Sequence, residues 1–432
     1  MHNDFSDLLA VRATCRTFRS ISNTLCVWHE REFNIANMVR GAKKDRSMID
    51  TVALEVGTRR LIEIFKEDKV FLNTMALREC WTFRTVPTMI LFTDTIPRIR
   101  ETIKDLYYEQ YNKWKEPEST PDSAKSINDA LAHLEHLPNL TSLNIADYPG
   151  KISLNQIVIS CPSLKKLEFY SNTWYTGSLG GLRNLGKLIV WDYSLNKHTG
   201  SRAHLLPVDS AVSLKNLQLF ASGTPNNVYN SKHLLRFSNL EKFTVFPLCN
   251  RLCKTIISAN FLHLRKFNTI GYANSNISID HILQLLKSQS LASLEMLTIL
   301  LEPYHEDFNL GYLELIRTIT THLWQLEDIH LATGINTSWC QFFSQLHNLK
   351  NFAWISADEE CFVSDDITLC PFDLVPARIS DAARATLTNI VKDTMKTVFG
   401  GFEPPPSIHV SLLGDKDLHR WDEIFGEYEE ND

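Results

Sequence analysis

The chain has 432 residues, 44% of them hydrophobic and 22% charged, with a formal net charge of −6. That length exceeds one compact core, and no apolar run comes near the roughly 18 residues of a membrane helix, so no membrane partner is expected. The negative balance is local: Asp415, Asp417, Asp422, Glu423, Glu427, Glu429, Glu430 and Asp432 stand against Lys416 and Arg420, the rest of the chain is neutral, and nucleic acid is not expected as a ligand.

The nine cysteines are scattered, and the N-terminus lacks a basic region followed by an apolar leader. They read as reduced thiols, which makes a cytoplasmic or nuclear location the expectation.

Residues 1–46 form a short, slightly basic helical block. Within it Leu8, Leu9, Arg12, Cys15 and Phe18 fall at i, i+3, i+4 spacing, one narrow stripe edged by Arg16 and Arg19. A stripe that small needs a partner to bury it. Residues 47–125 form a connecting region. Ile49/Val52/Leu54 and Leu72/Met75/Leu77 in it echo a pattern that becomes regular later. The spacing of Ile99, Ile103, Leu106, Tyr107 and Tyr111 predicts a helix over 96–114, and Lys115 to Ser123 reads as an exposed linker.

Residues 126–360 repeat one phrase nine times: a leucine, two residues, an apolar residue, one residue, another apolar residue. The first leucines are Leu140, Leu164, Leu185, Leu214, Leu240, Leu264, Leu294, Leu326 and Leu349. Their gaps of 24, 21, 29, 26, 24, 30, 32 and 23 residues lie close to the leucine-rich-repeat period. The predicted fold class is therefore α/β: a leucine-rich-repeat solenoid, or horseshoe, behind a short all-α segment. Ile279 to Lys287 and Arg251 to Ser258 read as outer helices, with Asp280 as a candidate N-cap of the first. Cys161-Pro162 and Leu137-Pro138 should stop helices ahead of strands. Residues 361–414 read as a C-terminal cap, with a helix from Ser380 to Phe399 ended by Gly400-Gly401 and a last strand from Ser407 to Leu412. Residues 415–432 are the acidic tail, whose Trp421, Phe425 and Tyr428 either dock a basic partner, cover the end of the array, or belong to a solvated tail.

Strand side chains alternate, so positions three, five and seven of each phrase face the concave surface. Position seven lines up Tyr170, Trp191, Phe220 and Phe246. Position three supplies Lys166, Lys187, Lys242 and Lys266, interrupted by Asn216. Exposed aromatics beside a lysine row are the expected target-binding patch for a protein with an acidic segment. No catalytic, metal or cofactor site is expected. Gly181 to Lys187 mimics a phosphate loop but lacks the following Ser or Thr. His133/His136 and Cys249/Cys253 have ligand-like spacing without a second half. Asp358, Glu359, Glu360, Asp365 and Asp366 read as a solvated acidic loop.

The N-terminal block reads Asp7-Leu8-Leu9, Arg12, Cys15-Arg16, Phe18-Arg19, then Leu25, Trp28 and Phe33. It resembles the second and third helices of an F-box, and its order before leucine repeats is similar to fungal and other eukaryotic F-box/leucine-rich-repeat proteins. Met1 to Ser6 leaves no room for the family's opening Leu-Pro and first helix, so the expectation is either a start set too late at Met1 or a truncated F-box without the adaptor's full docking surface. The resemblance implies that Leu8, Leu9, Val11, Cys15, Phe18 and Trp28 meet the adaptor of a cullin-RING (SCF-type) ubiquitin ligase. The chain would then be the ligase's non-enzymatic substrate receptor, its partners being adaptor, cullin and a protein target. A ligase-independent interaction scaffold is the alternative.

Overall fold

Each phrase becomes one short parallel strand, because two apolar residues separated by one place both side chains on the same side of an extended backbone. The computed structural model describes residues 32–34, 43–45, 48–49, 74–77, 103–108, 134–145, 152–171, 175–192, 206–221, 231–271, 277–301, 308–332, 337–356 and 381–412. Two compact units divide the chain, Met1–Ser222 and Gly223–Asp432.

The first unit contains β1 (Glu32–Asn34), β2 (Lys43–Asp45), β3 (Met48–Ile49), β4 (Thr74–Leu77), β5 (Asp105–Tyr108), β6 (Ser142–Ile145), β7 (Ile152–Ser153), β8 (Lys166–Ser171), β9 (Tyr175–Thr176), β10 (Lys187–Asp192) and β11 (Asn216–Ala221). Seven of these form one parallel ladder in the order β1, β4, β5, β6, β8, β10, β11. Its register aligns Phe33 with Met75, Leu106, Leu143, Leu167, Leu188 and Leu217, the last six at the fourth position of a phrase or of its looser echo. From Leu106 onward these side chains are fully buried. β2 and β3 pair antiparallel, and β7 pairs with β9.

The second unit contains β12 (Lys242–Phe246), β13 (Lys266–Gly271), β14 (Met296–Leu301), β15 (Asp328–Ala332), β16 (Asn351–Ser356) and β17 (Ser407–Leu412), parallel and in chain order. Here the aligned row is Phe243, Phe267, Leu297, Ile329, Phe352 and Ile408. Phe243 and Phe267 contact each other with ring centroids 6.0 Å apart. Each large side chain so buried contributes roughly 1.5–3 kcal/mol. The strand expected over Ser407 to Leu412 is thus a further member of the ladder.

Three strands lie where helix was expected. β5 occupies the predicted helix over 96–114, and β1 and β2 fall inside the helical block 1–46. Ile103-x-x-Leu106-x-Tyr108 also fits the repeat phrase. The backbone bonds of Leu106 with the strands bearing Met75 and Leu143 decide the matter, because ladder pairing overrides a local apolar spacing that serves either element. Of the two echoes, Leu72/Met75/Leu77 supplies β4. Ile49 instead joins the antiparallel pair, and Val52 and Leu54 lie outside the described residues.

The turn before seven of the nine phrases follows one pattern. Three residues ahead of the phrase leucine sits another buried residue, and its carbonyl accepts the leucine N–H. Leu137, Cys161, Phe237, Phe261, Leu291, Leu323 and Leu346 do this at 3.1–3.3 Å. The residue after the leucine then offers its carbonyl to two N–H groups of the next repeat: Thr141 to Lys165 and Lys166, and Glu295 to Glu327 and Asp328.

Helices return the chain on the packed side. α1 (Leu154–Ser160) is capped by Ser153, whose Oγ accepts from Gln156 N at 3.3 Å, and it ends just before Cys161-Pro162 as expected. In the second unit come α2 (Ser231–Leu234), α3 (Asn250–Ala259), α4 (Ile279–Leu286), α5 (Phe308–His322) and α6 (Asp381–Val398). α3 packs on α4, and α4 on α5. α4 buries Ile282, Leu285 and Leu286, and its cap is Ser278 rather than Asp280. Asp280 instead sits in the first turn, where its charge favours the positive end of the helix dipole.

Buried serines join successive repeats in both units. Ser210 Oγ accepts from Leu185 N at 3.2 Å and donates to the Leu182 carbonyl. Ser290 Oγ accepts from Phe261 N at 3.1 Å and donates to the Ile256 carbonyl at 2.7 Å. In the sequence only Asn172 occupies the position of the asparagine ladder usual in such repeats. These serines bridge adjacent turns instead.

Candidate functional site

With positions one, four and six turned into the packed side, positions three, five and seven form the open face of each sheet. In the first unit the register sets Tyr170, Trp191 and Phe220 side by side at position seven of β8, β10 and β11. The side chains of Tyr170 and Trp191 lie outside the described set; Phe220 is half-buried. Lys166 and Lys187 are register partners at position three, followed by Asn216. Gln218, at position five of β11, donates to Asn216 Oδ1 at 3.2 Å.

The expected four-residue aromatic band is divided between the units, since Phe246 ends β12 of the second. The lysine row likewise becomes two pairs. Lys242 and Lys266 are register partners on β12 and β13, both half-buried, and Met296, Asp328 and Asn351 continue their row on β14, β15 and β16. The Asn351 side-chain amide donates to the Asp328 carboxylate. Leu8, Leu9, Val11, Cys15, Phe18 and Trp28 lie outside the described residues, as do the linker, the acidic loop and the acidic tail.

A second row, not singled out from the sequence, runs along position five of the second unit: Thr244, Asn268, Thr298, His330, Ala353 and His409. It carries no acid or lysine. Thr244, Thr298 and His330 are buried although they lie on the open face. Asn268 Nδ2 donates to Thr244 Oγ1 at 3.2 Å. Its Oδ1 is buried and accepts no hydrogen bond among the described residues. A visible signal for this row existed, namely uncharged residues at the fifth position of all five phrases from Leu240 to Leu349.

His330 and His409 hold equivalent places two strands apart. Burial pushes the His330 pKa below its ordinary value of 6.5, Asp328 pulls it back up, and His409 pushes it down again. Partial desolvation and Lys392 lower His409 as well. Both imidazoles are therefore neutral at physiological pH.

The described cysteines belong to the packed side. Burial pushes the Cys161, Cys253 and Cys340 thiols up to about 12, so they are protonated at neutral pH and poor nucleophiles. Cys249 and Cys253 are joined by a backbone bond from Cys253 N to the Cys249 carbonyl at 3.0 Å. Among the described residues no three His, Cys, Asp or Glu side chains gather as a metal site. Lys187 of the phosphate-loop mimic begins a strand, where a phosphate loop needs a helix, and Leu182, Leu185 and Leu188 around it are core residues.

Parallel strands at leucine-rich-repeat spacing, turned by short helices and 3-10 turns, define a leucine-rich-repeat fold in both units. No protein-family model and no curated protein matches the chain. Among solved structures it is similar to TLR13 in its complex with ssRNA13, at 15% identity over 76% of this chain and 39% of that one, with a TM-score of 0.37. A protein from Bacteroides fragilis aligns at 12% identity over 71% of this chain and 78% of that one, with a TM-score of 0.32. The leucine-rich-repeat ectodomain of the Arabidopsis thaliana receptor kinase GASSHO1/SCHENGEN3, in complex with CASPARIAN STRIP INTEGRITY FACTOR 2, aligns at 13% over 68% and 36%, with a TM-score of 0.28. At these scores the neighbours carry no weight for function. The repeat fold is read from register and burial.

No helix among the described residues is long and apolar enough to cross a membrane.

Proposed function

We propose that the protein is the non-enzymatic substrate receptor of a cullin-RING ubiquitin ligase. Leu8, Leu9, Val11, Cys15, Phe18 and Trp28 would dock the adaptor, and the open face of the repeats would hold a protein target. The observation that carries this reading is the F-box-like run Asp7 to Trp28 standing directly ahead of β1, so that an adaptor-binding pattern leads into an array of binding strands. Ubiquitin transfer then belongs to other subunits. On the open face Trp191, Tyr170, Phe220 and Phe246 are the proposed anchors, with Lys166, Lys187, Lys242 and Lys266 selecting acidic segments.

The second reading is a ligase-independent interaction scaffold. It is favoured by the repeat array itself, whose open face needs no ligase subunit to hold a partner. Affinity purification of the tagged chain from cells separates the two. Recovery of adaptor and cullin, abolished by Leu8→Asp together with Leu9→Asp, supports the receptor. Recovery of a partner without adaptor or cullin supports the scaffold.

A further inference from the structure

The second unit ends on an apolar surface that nothing among the described residues fully covers. Along its packed row Phe243, Phe267, Leu297, Ile329 and Phe352 are at most 1% exposed, whereas Ile408 of β17, the last member, is only half-buried. α6, which packs on β17, continues that surface. Phe399, one residue past α6, touches Phe352 of the preceding repeat with ring centroids 5.9 Å apart. Ile390 lies nine residues earlier, half a turn around a 3.6-residue helix, so it points away from that repeat, and it is 48% exposed. Thr394 shares its flank, and the Thr394 hydroxyl donates back to the Ile390 carbonyl at 2.9 Å, within the helix.

A solenoid shields such an end with a further unit whose outer side is polar. We propose that residues 413–432 supply it, with Leu418 to Tyr428 as the outer helix of a terminal half-repeat that packs on α6 and Ile408. Two observations point to this occupant. The first is its place in the chain. α3, α4 and α5 open at Asn250, Ile279 and Phe308, four to eight residues after strands that end at Phe246, Gly271 and Leu301, and Leu418 stands six residues after Leu412. The second is its pattern. Leu418, Trp421, Ile424, Phe425 and Tyr428 fall at i, i+3, i+6, i+7 and i+10, one stripe of a helix, while Asp422, Glu423, Glu427, Glu429 and Glu430 stand off that stripe. The stripe covers Ile390 and Ile408, and the acids face water. The tether favours this segment over a second copy of the chain, because a segment joined to β17 by a few residues has an effective concentration on the order of millimolar. Trp421, Phe425 and Tyr428 then belong to the core of the second unit rather than to a partner's contact surface.

Hydrogen exchange of the full chain, read by mass spectrometry, tests this. Amides of 418–428 should exchange about tenfold or more slowly than an unstructured chain, independent of protein concentration. Ile390→Asp should remove that protection and leave β12 unchanged. Ile159→Asp, at a side chain 74% exposed on α1 of the first unit, should leave the protection intact. Conversely, Trp421→Ser with Phe425→Ser should speed exchange in α6 and β17 about tenfold and spare β12. Free exchange of 418–428, or an unmoved α6 and β17 in that double variant, overturns the inference. Protection that survives Ile390→Asp overturns it by placing the segment elsewhere. Protection lost on dilution overturns it by assigning the open end to a second copy.

Discussion

The two units carry the same packed row and different open faces. In both, the fourth position of every phrase is apolar from β4 or β12 onward. On the open face the first unit mixes Glu168, Ile189 and Gln218 at position five, whereas the second keeps that row uncharged from Thr244 to His409. The packed sides differ as well. Between β8 and β11 the described connections of the first unit are turns and a short 3-10 helix (Val208–Ser210), while the second interposes helices of 8 to 18 residues at α3, α4, α5 and α6. One strand register thus supports two surfaces, because packing constrains one side of each strand and leaves the other to specialise.

Removing a packed-row side chain should break that common element most severely. Phe267→Ala, in the middle of the second unit and against Phe243 and Leu297, should cost about 3–5 kcal/mol in denaturant unfolding of the full chain. Because repeats lean on their nearest neighbours, hydrogen-exchange protection should drop first in β12, β13 and β14. Loss confined to the turn before β13 would contradict a shared row.

The serine bridges compare the units directly. Ser210→Ala and Ser290→Ala each strand a buried N–H and a carbonyl, so each should cost about 1–3 kcal/mol in thermal or urea melts. Similar losses would show that one device serves both units. A loss under a few tenths in either would show that the bridge there is incidental.

The smallest expected effect is a pH dependence confined to the second unit. His330 faces Asp328 on its own strand and His409 across Ala353, with Lys392 of α6 beside His409. Its folded pKa lies below 6.5, so above that pH the imidazole is neutral folded or unfolded and contributes nothing. Below it, the unfolded chain binds a proton that the folded one resists, and stability falls as the pH drops. His330→Asn should flatten the stability profile below pH 6.5 without changing it above. An unchanged acid limb would remove His330 from the account.

The packed row was legible in the sequence because leucines at repeat spacing mark it without help from tertiary structure. β5 was not, since Ile99, Ile103, Leu106 and Tyr107 satisfy a helix as readily as a strand, and only pairing with β4 and β6 separates the two. Ser210 and Ser290 were illegible for another reason. A serine announces nothing until the turn it bridges is known. On the open face the aromatic and lysine positions followed from alternation, while their division between two units did not. The row from Thr244 to His409 escaped notice because its members, Thr, Asn, Ala and His, share no chemical type and are linked only by their register.

Quantitative affinity purification of three forms of the chain tests the central claim, that the N-terminal pattern holds the adaptor while the open face holds a target. With Leu8→Asp and Leu9→Asp, adaptor and cullin should be lost and target retained. With Trp191→Ala and Phe220→Ala, target should be lost while adaptor and cullin remain at the level of the unchanged chain. Loss of both by either variant, or retention of the target by the open-face variant, would contradict the account.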